Sequence, residues 1–348
     1  MATNGMFCCE RRKRGYGMKS IKMLAAVLLL VMLIPNVAMA QNSASQGGIV
    51  DTSDHIYSYP EMMEDIGLLG AKYPELIQVS SIGTSLDNRM IFQIVMGNPN
   101  AQKAIYVQAA THAREWMNTW IMMKSLEVCL DNWNQMLPNG ETYGQIFNDC
   151  CIYFVPMVNP DGVSISQFGF EAINNIDLRN YAASLKRDGE VARWKANARG
   201  VDINRQYSVG WNSKINHTEP WSADYNGVAP FTEPEAIAVK NALEQREFVA
   251  AITYHSTEGA IYWDLGQQGE LRERTWALAV YCSNITGYRI SSDCSPLKGL
   301  EYNYMIFEKG IPTICVETGT VYCPLPYSQW NQLWNENQMM MVAMAAAF

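Results

Sequence analysis

The feature that most constrains the fold is a series of short, continuous apolar runs that alternate with segments of helical periodicity. Continuous apolar runs are typical of strands buried on both faces, as in a parallel sheet covered by helices. The runs lie at 76–82, 90–96, 104–110, 151–158, 249–254 and 312–316. The helical segments include 59–73, 117–130 and 236–246. We therefore predict an α/β fold in a single domain, with a mixed, mostly parallel sheet and helices on both faces.

Residues 1–40 have the pattern of a secretory signal peptide. Six basic residues precede an apolar run at 23–34, and Ala38 and Ala40 form an AxA cleavage site. The run is shorter than the ~20 residues of a membrane-spanning helix, so we predict cleavage and no stable membrane insertion afterwards. The mature protein is then expected to be secreted, either extracellular or periplasmic. An uncleaved anchor is the alternative, and Met18 begins a more ordinary signal than the first residue does.

Composition restricts the partners of the mature chain. After residues 1–40, 20 basic and 33 acidic residues remain, which gives a net charge of −13. Such a surface lacks the basic stripe that neutralises phosphates, so nucleic acid is not an expected partner. Residues 41–54 are rich in Ser, Gly, Gln and Asp and are predicted to be a flexible lead-in. The segment 55–348 is predicted to be the folded domain, and we expect a monomer.

Cysteine use indicates buried thiols rather than a thiolate metal site. Seven of the nine cysteines remain after residue 40, so at least one is unpaired within a monomer. Cys282 and Cys294 could form a disulfide in an oxidising space. Cys150, Cys151 and Cys315 lie in apolar, strand-like runs, where cysteine usually acts as a small buried hydrophobe. The sequence has no CxxC pair, which argues against thiolate zinc and dithiol redox chemistry.

Two helix starts carry capping signals. Thr232 and Glu235 form a capping box ahead of the helical segment 236–246. Ser328 is predicted to cap a final helix. That helix is expected to bury five apolar side chains, those of Trp330, Leu333, Trp334, Met341 and Met344.

The strongest local signal for chemistry is His112 with Glu115, where the third apolar run ends and a helix begins. On such a turn an imidazole nitrogen and a carboxylate can point at one metal ion, and open α/β sheets bind ligands at the carboxyl ends of strands. Catalytic zinc needs a third protein ligand and keeps a fourth position for water. Of the four histidines, His255 alone follows a strongly apolar run in the same way as His112. An isolated HxxE pair is weak evidence, and His255 strengthens it.

Two further acidic residues are candidates for roles at such a site. Glu317 follows the apolar run 312–316 and could act as a base near a bound water; the alternative is a capping or salt-bridged carboxylate. Asp161, in the sequence Asn-Pro-Asp-Gly at 159–162, could accept the second N–H of His112 and fix its tautomer. A plain turn is an equally good interpretation of that sequence.

Five motifs, in order along the chain, resemble those of the zinc carboxypeptidase family of the carboxypeptidase A type. They are HAREW at 112–116, NPDG at 159–162, GVDINR at 200–205, YHS at 254–256 and ETG at 317–319. The resemblance runs from about residue 57 to the C-terminus. Within the family, the sequence is closer to bacterial γ-D-glutamyl-L-diamino acid endopeptidases than to digestive carboxypeptidases. The stretches that carry this likeness are 193–207, 230–235 and 255–263.

The resemblance implies a zinc carboxypeptidase-like fold, with a peptidase catalytic domain at 55–348. It implies one zinc ion, held by His112, Glu115 and His255, and it implies that Glu317 is the general base. Zinc lowers the pKa of a bound water to near 7, and a neighbouring carboxylate can then take the water proton and pass it to the leaving amine.

The resemblance also implies a binding site for a substrate carboxylate. Asn204 and Arg205 would bind this group, with Arg114 as an auxiliary contact. Arginine suits the role because its planar fork binds both carboxylate oxygens.

The sequence departs from the family pattern in two places. Family carboxypeptidases carry an arginine directly after the Trp of the 193–207 stretch to polarise the scissile carbonyl, whereas this chain has Lys195, and Arg199 is a competitor for the role. The mobile tyrosine of the digestive enzymes has no clear counterpart, and Tyr302 and Tyr304 are candidates. The specificity loop is altered in the same region.

From the motifs and the resemblance we expect a secreted zinc metallopeptidase that hydrolyses an amide bond next to a substrate carboxylate. The expected substrate is a peptide or muropeptide, with cleavage of peptidoglycan stem peptides between γ-D-glutamate and a diamino acid. The alternative is a general metallocarboxypeptidase that releases C-terminal amino acids from peptides. A non-catalytic wall-binding module and a zinc deacylase are further alternatives. The complete ligand set argues against the first, and the GVDINR and NPDG motifs argue against the second.

Overall fold

An eight-stranded mixed sheet organises the described part of the chain. The computed structural model describes residues 48–53, 56–185, 190–213, 219–293 and 297–348. The strands are β1 (Ile77–Thr84), β2 (Met90–Met96), β3 (Lys103–Gln108), β4 (Cys150–Val155), β5 (Ala250–Ser256), β6 (Ala260–Asp264), β7 (Arg289–Ser292) and β8 (Thr313–Thr318). The helices are α1 (Tyr59–Lys72), α2 (Met117–Asp131), α3 (Tyr143–Asp149), α4 (Pro160–Phe168), α5 (Ile176–Leu185), α6 (Pro234–Leu243), α7 (Gly269–Thr286), α8 (Glu301–Phe307), α9 (Trp330–Asn337) and α10 (Met340–Ala346).

The central strands run parallel and end at one edge of the sheet. The strand order is β1-β2-β4-β3-β5-β8-β6-β7. Strands β4, β3, β5 and β8 are parallel neighbours, whereas β1 with β2, β2 with β4 and β6 with β8 pair antiparallel. The predicted α/β class and mixed sheet are therefore confirmed. Because parallel strands end at the same edge, the segments that follow β3, β5 and β8 are brought together there.

Helices cover both faces of this sheet. Helices α2, α7, α9 and α10 pack against one another on one face, while α6 and α8 contribute to an apolar cluster on the other face. Strands β4 and β5 are buried along their whole length. This double burial is why their sequences form continuous apolar runs instead of an alternating pattern.

The capping box predicted for Thr232 and Glu235 is wrong. Helix α6 begins at Pro234 with Glu233 at its N-cap position. The hydroxyl of Thr232 donates to Gln206 Oε1 at 3.1 Å. The capping box does not form because the Thr232 hydroxyl is bound to Gln206, 26 residues away in the sequence. The side chain of Glu235 is fully buried instead of reaching back to the start of the helix.

The C-terminal segment forms two helices, α9 and α10, instead of one. Ser328 lies in a 3₁₀ helix at Tyr327–Gln329, and α9 starts after it without a side-chain cap, so the predicted Ser328 cap is wrong. The five apolar side chains predicted to be buried are buried, namely Trp330, Leu333, Trp334, Met341 and Met344.

Residues 48–53 are the part of the expected lead-in that the structure describes, and they lie against α2. The backbone N–H of Ile49 donates to Glu127 Oε1 at 2.5 Å, and Val50 is buried. The indole N–H of Trp120 donates to the carbonyl of Asp51 at 2.8 Å. These contacts hold this part of the lead-in, in contrast to the flexibility expected from its composition. The predicted signal peptide at 1–40 lies outside the described residues.

The described cysteines are buried free thiols, as predicted for Cys150, Cys151 and Cys315. Cys282 lies 3.1 Å from the sulfur of Met344. Cys294 is outside the described residues, so the Cys282–Cys294 disulfide stays a prediction. None of the described helices has the length and apolar character needed to cross a membrane.

Replacing Glu235 with Gln should flatten the pH dependence of stability. Burial, reinforced by the carboxylates of Asp161 and Glu233, raises the pKa of Glu235 from 4.5 to about 8. Folding therefore takes up a proton across this window, and stability falls as the pH rises through it. The Glu235→Gln variant should lose a slope of about 1.4 kcal/mol per pH unit, measured by urea unfolding between pH 5 and 8.

The matched control for this measurement is Glu308→Gln, because Glu308 is exposed at the end of α8. The control should keep the slope of the parent protein. An unchanged slope in Glu235→Gln would show that Glu235 is ionised in the folded state.

Candidate metal centre and active site

His112, Glu115 and His255 converge at the carboxyl edge of the sheet. His112 Nδ1 lies 2.8 Å from one carboxylate oxygen of Glu115. His255 Nδ1 lies 3.0 Å from the other oxygen and 3.1 Å from His112 Nδ1. All three residues are buried, and their donor atoms lie within 4.8 Å of one another. Within the described ranges, no other group of three or more His, Cys, Asp or Glu residues has this spacing.

The turn after β3 and the end of β5 position these side chains. His112 is the N-cap of a 3₁₀ helix at Ala113–Glu115, which turns Glu115 back toward the imidazole. The first backbone N–H of this helix donates to the carbonyl of Lys195 at 3.0 Å. His255 is the penultimate residue of β5, the strand directly next to β3, at the same edge of the sheet. The turn after β3 therefore positions His112 and Glu115, and the end of β5 positions His255 next to them.

Each histidine has a carboxylate against its outer nitrogen. Asp202 Oδ1 lies 3.2 Å from His112 Nε2, and Glu301 Oε1 lies 2.7 Å from His255 Nε2. A carboxylate in this position holds the ring proton at the outer nitrogen and leaves the Nδ1 lone pair directed inward. Two inward imidazole nitrogens and one carboxylate are a donor set that zinc prefers. The residues present therefore fit one zinc ion.

Of the two interpretations of Asp161, the structure excludes the one that makes it the partner of His112. Asp161 accepts hydrogen bonds from the Ser85 hydroxyl at 2.7 Å and the Asp87 backbone N–H at 2.8 Å, and Arg89 lies 2.7 Å away. Asp161 therefore ties the β1–β2 loop to the start of α4. The carboxylate beside His112 comes instead from the GVDINR motif, as Asp202.

Glu301 is a residue of the site that the sequence did not indicate. Besides contacting His255, its carboxylate accepts from Gln108 Nε2 at 2.8 Å and Thr111 Oγ1 at 2.9 Å. Its backbone N–H donates to Asn204 Oδ1 at 2.9 Å. Glu301 thus connects the end of β3, the metal-binding residues and Asn204. It lies 46 residues after His255, and no local pattern relates the two positions.

Glu317 stands beside His255 because the two residues are direct partners in the β5–β8 ladder. It lines the same cleft as His112 and Glu115 and is half-buried. Burial raises the pKa of Glu317 to about 7. A cation held by the triad would act to lower this pKa. A carboxyl group in this range can accept and release a proton near neutral pH.

The cleft has a volume of about 720 Å³ and contains the three residues implied in substrate binding, Arg114, Asn204 and Arg205. Arg205 donates to the carboxylate of Asp224, and its Nε is buried without a hydrogen-bond partner among the described residues. Because Asn204 Oδ1 accepts from Glu301, the amide N–H₂ of Asn204 stays available as a donor. Asn204 and Arg205 therefore present N–H donors in the same cleft as the metal-binding residues His112 and Glu115.

The structure separates the two candidates for polarising a carbonyl. Lys195 lines the cleft, with its Nζ 2.7 Å from Asp202 Oδ2. Burial acts to raise the pKa of Asp202, but the positive charge of Lys195 holds it well below its usual range. Arg199 is not among the cleft residues; its guanidinium lies 3.4 Å from Glu233. Lys195 is therefore the candidate that the geometry supports.

The two candidate tyrosines are also separated. Tyr302 lines the cleft and donates to Asp293 Oδ2 at 3.0 Å. Tyr304 packs in the core against Tyr207 and Phe231, with ring centroids 5.7 and 5.3 Å away. Tyr304 is therefore excluded from the site.

Comparison with known proteins agrees with this geometry. The sequence model of the zinc carboxypeptidases matches residues 62–320. The chain belongs to the zinc carboxypeptidase family. Members of this family are metallopeptidases that use one zinc ion, and the triad of this zinc carboxypeptidase has the donors to hold it.

Curated relatives are peptidases, and a solved structure shares the fold of this chain. Gamma-D-glutamyl-L-diamino acid endopeptidase 1 of Lysinibacillus sphaericus is 32% identical over 284 residues, which cover 80% of this chain and 70% of the relative. Carboxypeptidase B of Astacus astacus is 29% identical over 58% of this chain and 61% of its own. Bovine thrombin-activatable fibrinolysis inhibitor has the same fold, with a TM-score of 0.68, 17% identity, and coverage of 85% of this chain and 97% of its own.

Replacing Glu301 with Gln should weaken zinc binding by about 10- to 100-fold, because the amide cannot hold the His255 ring as the carboxylate does. The measurement is a competition titration of the metal-free protein with a chromophoric chelator. Glu308→Gln, on the exposed end of the same helix, is the matched control and should bind zinc like the parent. Equal affinities for all three proteins would contradict a positioning role for Glu301.

Proposed function

We propose that this zinc carboxypeptidase is exported and hydrolyses γ-D-glutamyl–diamino acid bonds in peptidoglycan stem peptides. The observation that carries the proposal is the cleft, which is lined by His112 and Glu115 of the metal-binding triad, by Glu317 and by the carboxylate-binding pair Asn204 and Arg205. The 32% identity to the Lysinibacillus sphaericus endopeptidase supports the choice of bond. The predicted signal peptide supports export to where stem peptides occur.

Substrate binding is assigned to Asn204 and Arg205. The Asn204 amide is oriented by the backbone N–H of Glu301, and the Arg205 guanidinium by Asp224 and by the Asn204 carbonyl at 2.8 Å. These groups would bind the carboxylate of the leaving residue and set the scissile amide at a fixed distance from the triad. Pre-oriented donors reduce the entropy lost on binding.

His112, Glu115 and His255 would hold one zinc ion, which supplies a Lewis acid that lowers the pKa of water and polarises a carbonyl oxygen. Glu317 would take one proton from the attacking water. As the C–N bond breaks, Glu317 would return that proton to the leaving nitrogen, so that an amine and a carboxylate are formed. Lys195, held by Asp202, would donate to the oxygen on which negative charge develops.

Digestion of a purified muropeptide tests the proposed substrate. The protein should cleave an L-Ala-γ-D-Glu-diaminopimelate tripeptide between the second and third residues, and mass spectrometry should detect free diaminopimelate. The comparison substrate is a blocked dipeptide of the kind that general carboxypeptidases cleave, since the carboxypeptidase B relative favours that second function. Cleavage of the dipeptide alone would reject the cell-wall assignment.

Replacing Glu317 with Gln should abolish turnover while zinc stays bound. The amide keeps the size of the side chain but cannot accept the water proton, and loss of such a group costs at least about 10²-fold in kcat. Steady-state hydrolysis and metal analysis of the same preparation check the two parts. A fully active Glu317→Gln variant would contradict its role as base.

Replacing Lys195 with Met should lower kcat by about 10²- to 10³-fold, because one donor to the developing negative charge is lost. Lys195→Arg should recover part of the rate, since it restores the charge. Arg199→Met is the control, because Arg199 lies outside the cleft, and it should leave kcat unchanged. The assignment fails if the Arg199 variant loses the rate and the Lys195 variant does not.

A further inference from the structure

The cleft is lined by cationic side chains that the mechanism above does not use. Five cationic side chains line it: Arg114, Arg193, Lys195, Arg205 and Lys298. Lys195 and Arg205 already pair with acidic residues of the protein, Asp202 and Asp224. In the described ranges, no carboxylate lies within ion-pair distance of the other three.

Arg193 and Lys298 lie on two different segments of the cleft lining. Lys298 lies three residues before Glu301, whose backbone N–H donates to the Asn204 side chain. Arg193 ends a 3₁₀ helix at Val191–Arg193, two residues before Lys195. The carbonyl of Lys195 accepts from the Ala113 N–H of the metal-binding turn, and the Lys195 side chain is the one assigned to the oxygen of the scissile carbonyl. Arg193 therefore lies on the segment that would contact the acyl side of the bond.

The position of Arg193 suits it for a ligand. Its side chain is exposed at the rim of the cleft, while the next residue, Trp194, is buried and anchors the backbone by an indole N–H that donates to the Asn197 carbonyl at 3.2 Å. The hydroxyl of Ser166 donates to the carbonyl of Ala192 at 2.7 Å. The backbone that bears Arg193 is thus fixed by two hydrogen bonds. Within the described ranges its guanidinium has no ion-pair partner, so its N–H donors can bind a ligand.

The proposed bond supplies a chemically distinct partner for this arginine. In a γ-glutamyl amide the side-chain carboxyl forms the scissile bond, so the α-carboxylate of the same residue stays free. In an ordinary peptide the α-carboxyl itself is consumed in the scissile bond. Arginine binds a carboxylate through two parallel N–H···O bonds. It therefore favours a carboxylate over an amide, which has only one acceptor oxygen.

We propose that Arg193 binds the free α-carboxylate of the γ-linked glutamate and thereby selects it over the α-amidated form. The inference rests on the proposed function and deepens it, because it assigns recognition of the residue on the acyl side of the bond. Lys298 belongs to the segment next to Asn204 and takes no part.

Two synthetic tripeptides test this assignment: L-Ala-γ-D-Glu-diaminopimelate and its analogue with an α-carboxamide on the glutamate. The parent protein should have a kcat/KM about 10- to 100-fold higher for the acid, the range expected for a hydrogen bond to a charged group. Arg193→Gln should lower kcat/KM for the acid to the value for the amide and leave the amide unchanged. Arg193→Lys should keep part of the preference.

The control for loss of surface charge is Arg272→Gln, because Arg272 is an exposed residue of α7 that pairs with Asp264 outside the cleft. It should keep the full preference for the acid. An equal loss on both substrates in Arg193→Gln, or no preference in the parent protein, would overturn the assignment while leaving the proposed function intact. A parent protein that cleaves neither tripeptide would overturn the proposed function and this inference with it.

Discussion

The site depends on the backbone ladder that joins β5 to β8 in parallel. The ladder aligns His255 with Glu317, so a metal-binding residue and the carboxylate beside it come from neighbouring strands at the fixed strand spacing of about 4.8 Å. A slip of one residue in either strand would turn its own side chain to the other face of the sheet and separate the pair. Because β3 pairs with the opposite side of β5, the turn that carries His112 and Glu115 reaches the same edge.

The charged side chains around this edge are buried in contact with a partner. Lys195 contacts Asp202, which contacts His112, and Glu301 contacts His255 in the same way. A buried charge that loses its partner costs several kcal/mol, so these residues are coupled and act as one unit. Arg193 and Lys298 differ from them because they lie at the cleft without an ion-pair partner in the described ranges, which is the condition expected of side chains that meet an external ligand.

The sequence predicted those parts of the site that depend on local pattern. The three-residue spacing of His112 and Glu115, and the apolar run before His255, are local, and the structure brings these residues together. The partner of His112 could not be found from local pattern, because it depends on which acidic segment packs against the histidine, and the structure places Asp202 there. Glu301 could not be found in this way, since it lies at the start of α8 and contacts His255, on β5, only in the folded protein. The Thr232 capping box failed for the same kind of reason, because Gln206 competes for its hydroxyl.

Glu301 joins two halves of the site that have different chemical tasks. Its side chain holds a metal-binding histidine, and its backbone N–H holds Asn204. A small displacement of the first turn of α8 therefore moves both groups together. Occupancy of one half is linked to occupancy of the other, by the same free energy in both directions. The metal-loaded protein should consequently retain carboxylate-bearing molecules more firmly than the metal-free protein, a cooperativity transmitted through a single amino acid.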